Sequence, residues 1–364
     1  MSELNLLDLE QGLLVESWNV DLADYVMDLA WSPDGTKLAA VTVEGAVFLT
    51  KDRGDSARLR RIGQHAGGAN SVSWRCDGAE FVTGGHDGLA KVWDGNSGEQ
   101  LSSLEAGDSW VAKTVYNLRG NALATAAGKQ LKVWNEQREV TYQSSDHSST
   151  IADVGWNPNG SAVAAAAYNG ITLHVPGKQR RPRKYTWKGS SLVLAWSPDS
   201  KYMATGEQDS TVHFWNVKSG QDAQMWGFPT KVLELSWDTS GRWLATGGDT
   251  IVCLWDCGGK GPAGRKPRQY EAHSSKITQL AFQTDGPMLA SADAESFLLL
   301  WEPTKHSKTI GSASLSSPAS CLRWSKEGKL AVGQRDGRVV IFEIQPEDGD
   351  EKKPTLLSKL NPFA

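Results

Sequence analysis

The stretch "SVSWRCDGAEFVTGGHDGLAKVWD", Ser71–Asp94, decides how the rest of the chain is read. An alternating run ends at Trp74, and "CDG" follows as a turn in which Asp starts the bend and Gly supplies a positive φ. A strand of small residues comes next, "FVTGG", then a tight turn, "HDG", then a third run closing on "KVWD". The same cadence returns along the chain. Trp31 in "LAWSPDG", Tyr116 in "TVYNLRG", Trp156 in "VGWNPNG" and Trp196 in "LAWSPDS" take the place of Trp74. So do Trp237 in "LSWDTSG", Phe282 in "LAFQTDG" and Trp324 in "LRWSKEG". Successive anchors lie 43, 42, 40, 40, 41, 45 and 42 residues apart. That period marks a blade of four strands.

Composition narrows the function classes. The chain has 364 residues, 39% of them hydrophobic, with sixteen Trp and thirty-seven Gly. Many fixed aromatics and many turns fit an all-β repeat protein, and helical periodicity is essentially absent. The formal net charge of −4 is no general trap for nucleic acid or acidic membrane. No apolar run reaches the roughly 18 residues of a membrane span. The opening "MSELNLLDLEQGLLVES" lacks the basic start and apolar core of a secretory signal. Cys76, Cys253, Cys257 and Cys321 are too few and too scattered for a disulfide framework. The expectation is therefore a cytoplasmic protein in a reducing compartment.

After the third strand each unit adds a more polar fourth, such as "QLSSLEA", "EVTYQSSDH" or "RKYTWKG". Together these residues resemble the WD-repeat β-propeller family, across roughly residues 13–343. The resemblance implies a hydrogen-bonded chain in each unit: a His before the first strand, a Ser or Thr on the second, an Asp in the tight turn and the closing Trp. By position these are His65, Thr83, Asp87 and Trp93, and again His273, Ser291, Glu295 and Trp301, with Glu in place of Asp. The fourth unit keeps His147 and Asn169 but sets Val175 where the Trp would be. The fifth has Thr205, Asp209 and Trp215, with Trp187 in the His place. The first and eighth lack both His and closing Trp.

Eight units predict a closed propeller of eight four-stranded blades, with seven as the alternative if the first or last is irregular. The segment "LLVESWNV" is the expected outer strand of the last blade, pairing with "RVVIFEI" and removing an exposed edge. "PTLLSKL" is its competitor. Domain limits follow: a lead-in at 1–12, one propeller at 13–345, and a charged, flexible tail at 346–364.

No catalytic constellation emerges. The seven His form no ligand pattern, and Cys253 and Cys257 lack two further donors. "GGKGPAGRKP" (Gly258–Pro267) is not followed by Lys-Ser/Thr or by a helix, as a phosphate loop would be. The protein is read as a non-enzyme without cofactor or metal. Its expected partner is a protein or peptide, docked on the loop face around the central channel. Six residues before each anchor stand Tyr25, Gly68, Trp110, Thr150, Ser190, Lys231, Lys276 and Pro318, a variable position on a repeated scaffold. The tight turns add His86, Tyr168, Gln208 and Arg335. Tyr25, Trp110, Lys231, Lys276, His86, Tyr168 and Arg335 are the candidate partner-binding set, since hot spots favour Trp, Tyr and Arg. Local packing is the other reading of Tyr25 and Trp110. Three basic clusters, Lys51–Arg61, Gly177–Lys188 and Gly259–Gln269, carry the rival reading, a belt for nucleic acid or an anionic surface. Solvated loops are the bland one.

Overall fold

A computed structural model describes residues 13–50, 59–178, 181–259 and 261–345. The expected lead-in and tail, and part of each basic cluster, lie outside these residues. Among the described residues there are thirty strands and no helix. The quoted stretch forms β6 (Ala69–Trp74), β7 (Glu80–Gly85) and β8 (Leu89–Asp94), joined outward by β9 (Gln100–Glu105). Every pair is antiparallel, in the order β6-β7-β8-β9.

Residue size explains the layering. From Phe81 to Gly85 β7 is wholly buried, while β9 is mostly exposed. Small side chains on second strands let neighbouring units pack onto both faces at interior density. Each of eight apolar clusters is accordingly shared by two successive units; one joins Val41, Val47 and Leu49 to Trp74, Phe81 and Trp93. The anchor tryptophans add a polar seam. Trp74 donates its indole N–H to the Ala30 carbonyl at 2.9 Å, Trp156 to Val115 at 3.0 Å and Trp196 to Gly155 at 3.0 Å. Trp237 donates to Ala195 at 3.3 Å and Trp324 to Ala281 at 2.9 Å. Trp31 reaches Arg323 at 2.9 Å, so the first and last units touch.

The chain ends share one sheet. β1 (Leu14–Asp21) pairs with β30 (Arg338–Ile344) in the register Leu14↔Ile344 to Asp21↔Arg338. It takes the outer place expected for it. The competing "PTLLSKL" lies outside the described residues. The sheet count departs from expectation: there are seven separate sheets, not eight. Units four and five merge into one six-stranded sheet because two strands run on without a break. β15 (Val163–His174) holds the second and third strands of unit four. β16 (Arg183–Trp196) continues from its outer strand into the inner strand of unit five.

Candidate functional site

The hydrogen-bonded chains form the rigid base of the loop face. In unit two, His65 Nε2 lies 2.8 Å from Thr83 Oγ1, to which Trp93 donates at 2.9 Å. His65 Nδ1 lies 2.9 Å from Asp87 Oδ1. Burial holds the His65 pKa below its ordinary value despite the carboxylate beside it. The bond to His65 in turn keeps Asp87 low, against its own partial burial.

Three residues of the other chains are corrected. His273 pairs with Asp293, not Glu295: Nδ1 to Oδ2 is 2.9 Å, while Nε2 meets Ser291 Oγ at 2.7 Å and Trp301 donates to that oxygen at 2.8 Å. Asp293 lies two residues beyond Ser291 on one strand, so a short carboxylate suffices. Glu295, in the turn, accepts from Ser274 at 3.0 Å. In unit five, Glu207 takes the expected place of Asp209, accepting from Thr205 at 2.7 Å and Ser191 at 2.9 Å. In unit four the closing position belongs to His174, not Val175. His174 is buried on its strand as Trp93 is on β8.

Unit four thus carries a chain without a Ser or Thr on its second strand, where Ala165 stands. His174 Nδ1 meets Tyr142 Oη at 2.8 Å, and its Nε2 lies 3.2 Å from His147 Nε2. Burial pushes the His174 pKa down to about 3 and lowers that of His147 as well. Asn169 stays in the turn, at φ 71°.

Backbone bonds knit the variable rim. The carbonyls of Tyr25, Gly68, Ser190, Lys276 and Pro318 accept from Val43, His86, Gln208, Ala294 and Arg335 in the facing tight turns. The two sets of loops therefore meet on one face. Trp110 is 62% exposed and stacks on His86, with ring centroids 4.0 Å apart and planes 7° from parallel. His86 is further fixed by Asn70 at 2.9 Å. Tyr168 is exposed, its backbone held by Ser148 and Ser149. Lys231 and Arg335 are exposed, Tyr25 and Lys276 half-buried. Lys276 faces the buried Glu234, whose pKa burial raises. Only His86 and Trp110 of the set share a ring contact; the other five stand on separate units. The sequence reading missed Trp226, 79% exposed between β19 (Asp222–Met225) and Lys231. Its signal was a Trp outside the strand register, followed by Gly227.

Much of the basic belt is engaged within its own unit or with the next. Arg60 donates to Ser97 O at 2.7 Å, and Arg183 to Val217 O at 2.7 Å. Arg265 pairs with Asp256 at 3.2 Å, and Arg268 lies over Trp243 at 4.7 Å. Arg242 and Arg265 hold the Asp256 pKa down to about 2. Among the described residues no group of three or more His, Cys, Asp or Glu is placed to hold a metal. Burial pushes the thiols of Cys253, Cys257 and Cys321 up to about 11, 12 and 12, so they are inert, while Cys76 is exposed.

Comparison with known proteins agrees with this geometry. The family described as WD domain, G-beta repeat matches residues 56–94, 183–216, 225–256 and 264–302. Cell division cycle 20.5, cofactor of APC complex, from Arabidopsis thaliana is 26% identical over 81% of this chain and 69% of its own length. Pre-mRNA-processing factor 19 homolog 2 from the same plant is 26% identical over 75% of this chain and 53% of its own. Autophagy-related protein 16, also from that plant, is 23% identical over 84% of this chain and 63% of its own. The chain thus spans about two thirds or less of the relatives it matches. In fold it is similar to the crystal structure of the computationally designed Ika8 protein, with a TM-score of 0.76, 20% identity, and coverage of 89% of this chain and 98% of that one. The matched repeats, their spacing and the buried His-hydroxyl-Trp chains show that this chain carries WD repeats on a β-propeller fold.

Proposed function

We infer that the protein is a non-catalytic interaction platform, binding a protein or peptide partner on the loop face. The observation that carries this reading is the exposed Trp110 stacked on His86, an aromatic surface already ordered before any partner arrives. Order in the free protein lowers the entropic cost of docking. Tyr25, Tyr168, Lys231, Lys276 and Arg335 stand on the corresponding loops of other units, and Trp226 is a further exposed aromatic. The rim suits a partner with apolar anchors and acidic side chains. Relatives named for a place in the APC complex support work within a multiprotein assembly. The ring is taken as closed between the first and last units, supported by the cluster they share and the Trp31–Arg323 bond. Four free thiols suit a reducing, cytoplasmic setting.

The test is a paired affinity capture from native lysate with wild type and the triple variant Trp110→Ala, Lys231→Glu, Lys276→Glu. Both must first show the same thermal unfolding. Loss of one protein partner with the variant supports the face. Unchanged capture, dominated by nucleic acid that washes off between low and moderate salt, would transfer the function to the basic loops.

A further inference from the structure

An open cavity lies on unit four, away from the Trp110–His86 pair. Its volume is about 640 Å³, and its wall includes His147, His174, Arg181, Lys184, Trp187 and Lys188. The register of the sheet explains why it exists. Tyr168 pairs with Ser190, and the next pair is Gly170 with Thr186. One residue, Asn169, therefore opposes three, Trp187, Lys188 and Gly189. The longer side bulges outward and carries Trp187 and Lys188 with it. Inside the unit, His174 in place of an indole and Ala165 in place of a hydroxyl residue leave further room.

The wall is cationic and rich in donors. Arg181, Lys184 and Lys188 make no ion pair among the described residues, against Asp146, which accepts from Gln130 at 3.0 Å. Thr172 and Thr186 add hydroxyls. The indole N–H of Trp187 is one of few buried side-chain donors without an acceptor, although the ring packs 4.1 Å from His213. A buried donor without a partner is costly enough to call for an explanation. A ligand made of acceptor oxygens matches the unpaired charges and the hydroxyls of the wall.

We propose that this cavity binds a small, soluble oligophosphate, free or as the phosphate groups of an organic ester. A single phosphate is too small, since sites of a few hundred cubic ångströms take whole small molecules. Three unpaired cations around one hollow match several phosphoryl groups. The charges ring a recess rather than project from a flat belt, which favours a soluble ligand over a membrane. The histidines contribute shape and hydrogen bonding in their neutral form. This site does not depend on the docking function proposed above.

The test is isothermal titration calorimetry with sodium tripolyphosphate, inositol hexakisphosphate and, for comparison, sulfate, in about 150 mM salt. Saturable binding at one per chain is expected for either phosphate probe, and for both if the organic body is not excluded. The variant Arg181→Glu, Lys184→Glu, Lys188→Glu should lose about tenfold or more in affinity. The variant Lys266→Glu, Lys308→Glu, Lys326→Glu carries the same change in net charge at exposed positions outside both sites and should stay within about twofold of wild type. Equal losses in the two variants, no saturable heat, or binding only to vesicles of phosphatidylcholine with phosphatidic acid would overturn the proposal. Binding to wild type with sulfate as strong as with tripolyphosphate would do so too.

Discussion

At the residue scale, a single hydroxyl does the most. Thr83 Oγ1 is shared by the Nε2 of His65 and the indole N–H of Trp93, and all three side chains are buried. Thr83→Val keeps the shape and removes both bonds, leaving two buried polar groups unmatched. The expected loss is about 2–4 kcal/mol in urea unfolding with the slope unchanged. A loss below about 0.5 kcal/mol would mean the chain is decorative. The family resemblance made His65, Thr83, Asp87 and Trp93 legible at fixed offsets. It misplaced the acid in two other units, because Glu207 reaches the hydroxyl and Asp293 the imidazole from the strand, and the turn residue is then redundant. Offsets along a chain do not record which of two nearby carboxylates points inward.

At the scale of elements, unit four is the exception and the most informative. Its β15 and β16 run through positions where other units break, and its buried pair is His147 with His174. Tyr142 touches His174 and Lys184 lies near His147, so no carboxylate stabilises a charge on His174. Its folded pKa of about 3 lies below the ordinary 6.5, so the unfolded chain binds the proton more readily. The stability this neutral residue contributes is present above pH 6.5 and is lost as pH falls toward 3. Between pH 7 and pH 4 the loss is on the order of 3 kcal/mol. His65 and His147, shifted the same way, add to it. His174→Phe should flatten the fall in melting temperature over that range, compared at equal ionic strength. An identical pH profile in the variant would show that His174 does not titrate with unfolding. The sequence showed the departure of this unit but not its consequence, because the three-residue bulge depends on how two strands pair across 20 residues or so.

At the scale of the whole molecule, β1 is the element that ties the ends together. Leu13 and Leu14 join the cluster of the last two units, while Trp18 and Val20 pack against the cluster shared by the last and first. Removing residues 1–21 would strip β30 of its outer partner and expose an unpaired edge. A lower melting temperature and concentration-dependent light scattering are expected. A truncated protein that melts as the full chain does and remains monomeric would assign closure to the inner strands alone. By itself the sequence determined the repeat period, the strand order within each unit, the all-β class and the strand that closes the last sheet. These follow from turn chemistry and alternation, which act over a few residues and leave a visible trace each time they recur. Only the tertiary structure decided that two units share one sheet, that Trp226 stands out in solvent, that Trp110 stacks on His86, and that Arg181, Lys184 and Lys188 surround a hollow. Burial and contact are properties of pairs far apart in the chain, and they take their values when the blades pack.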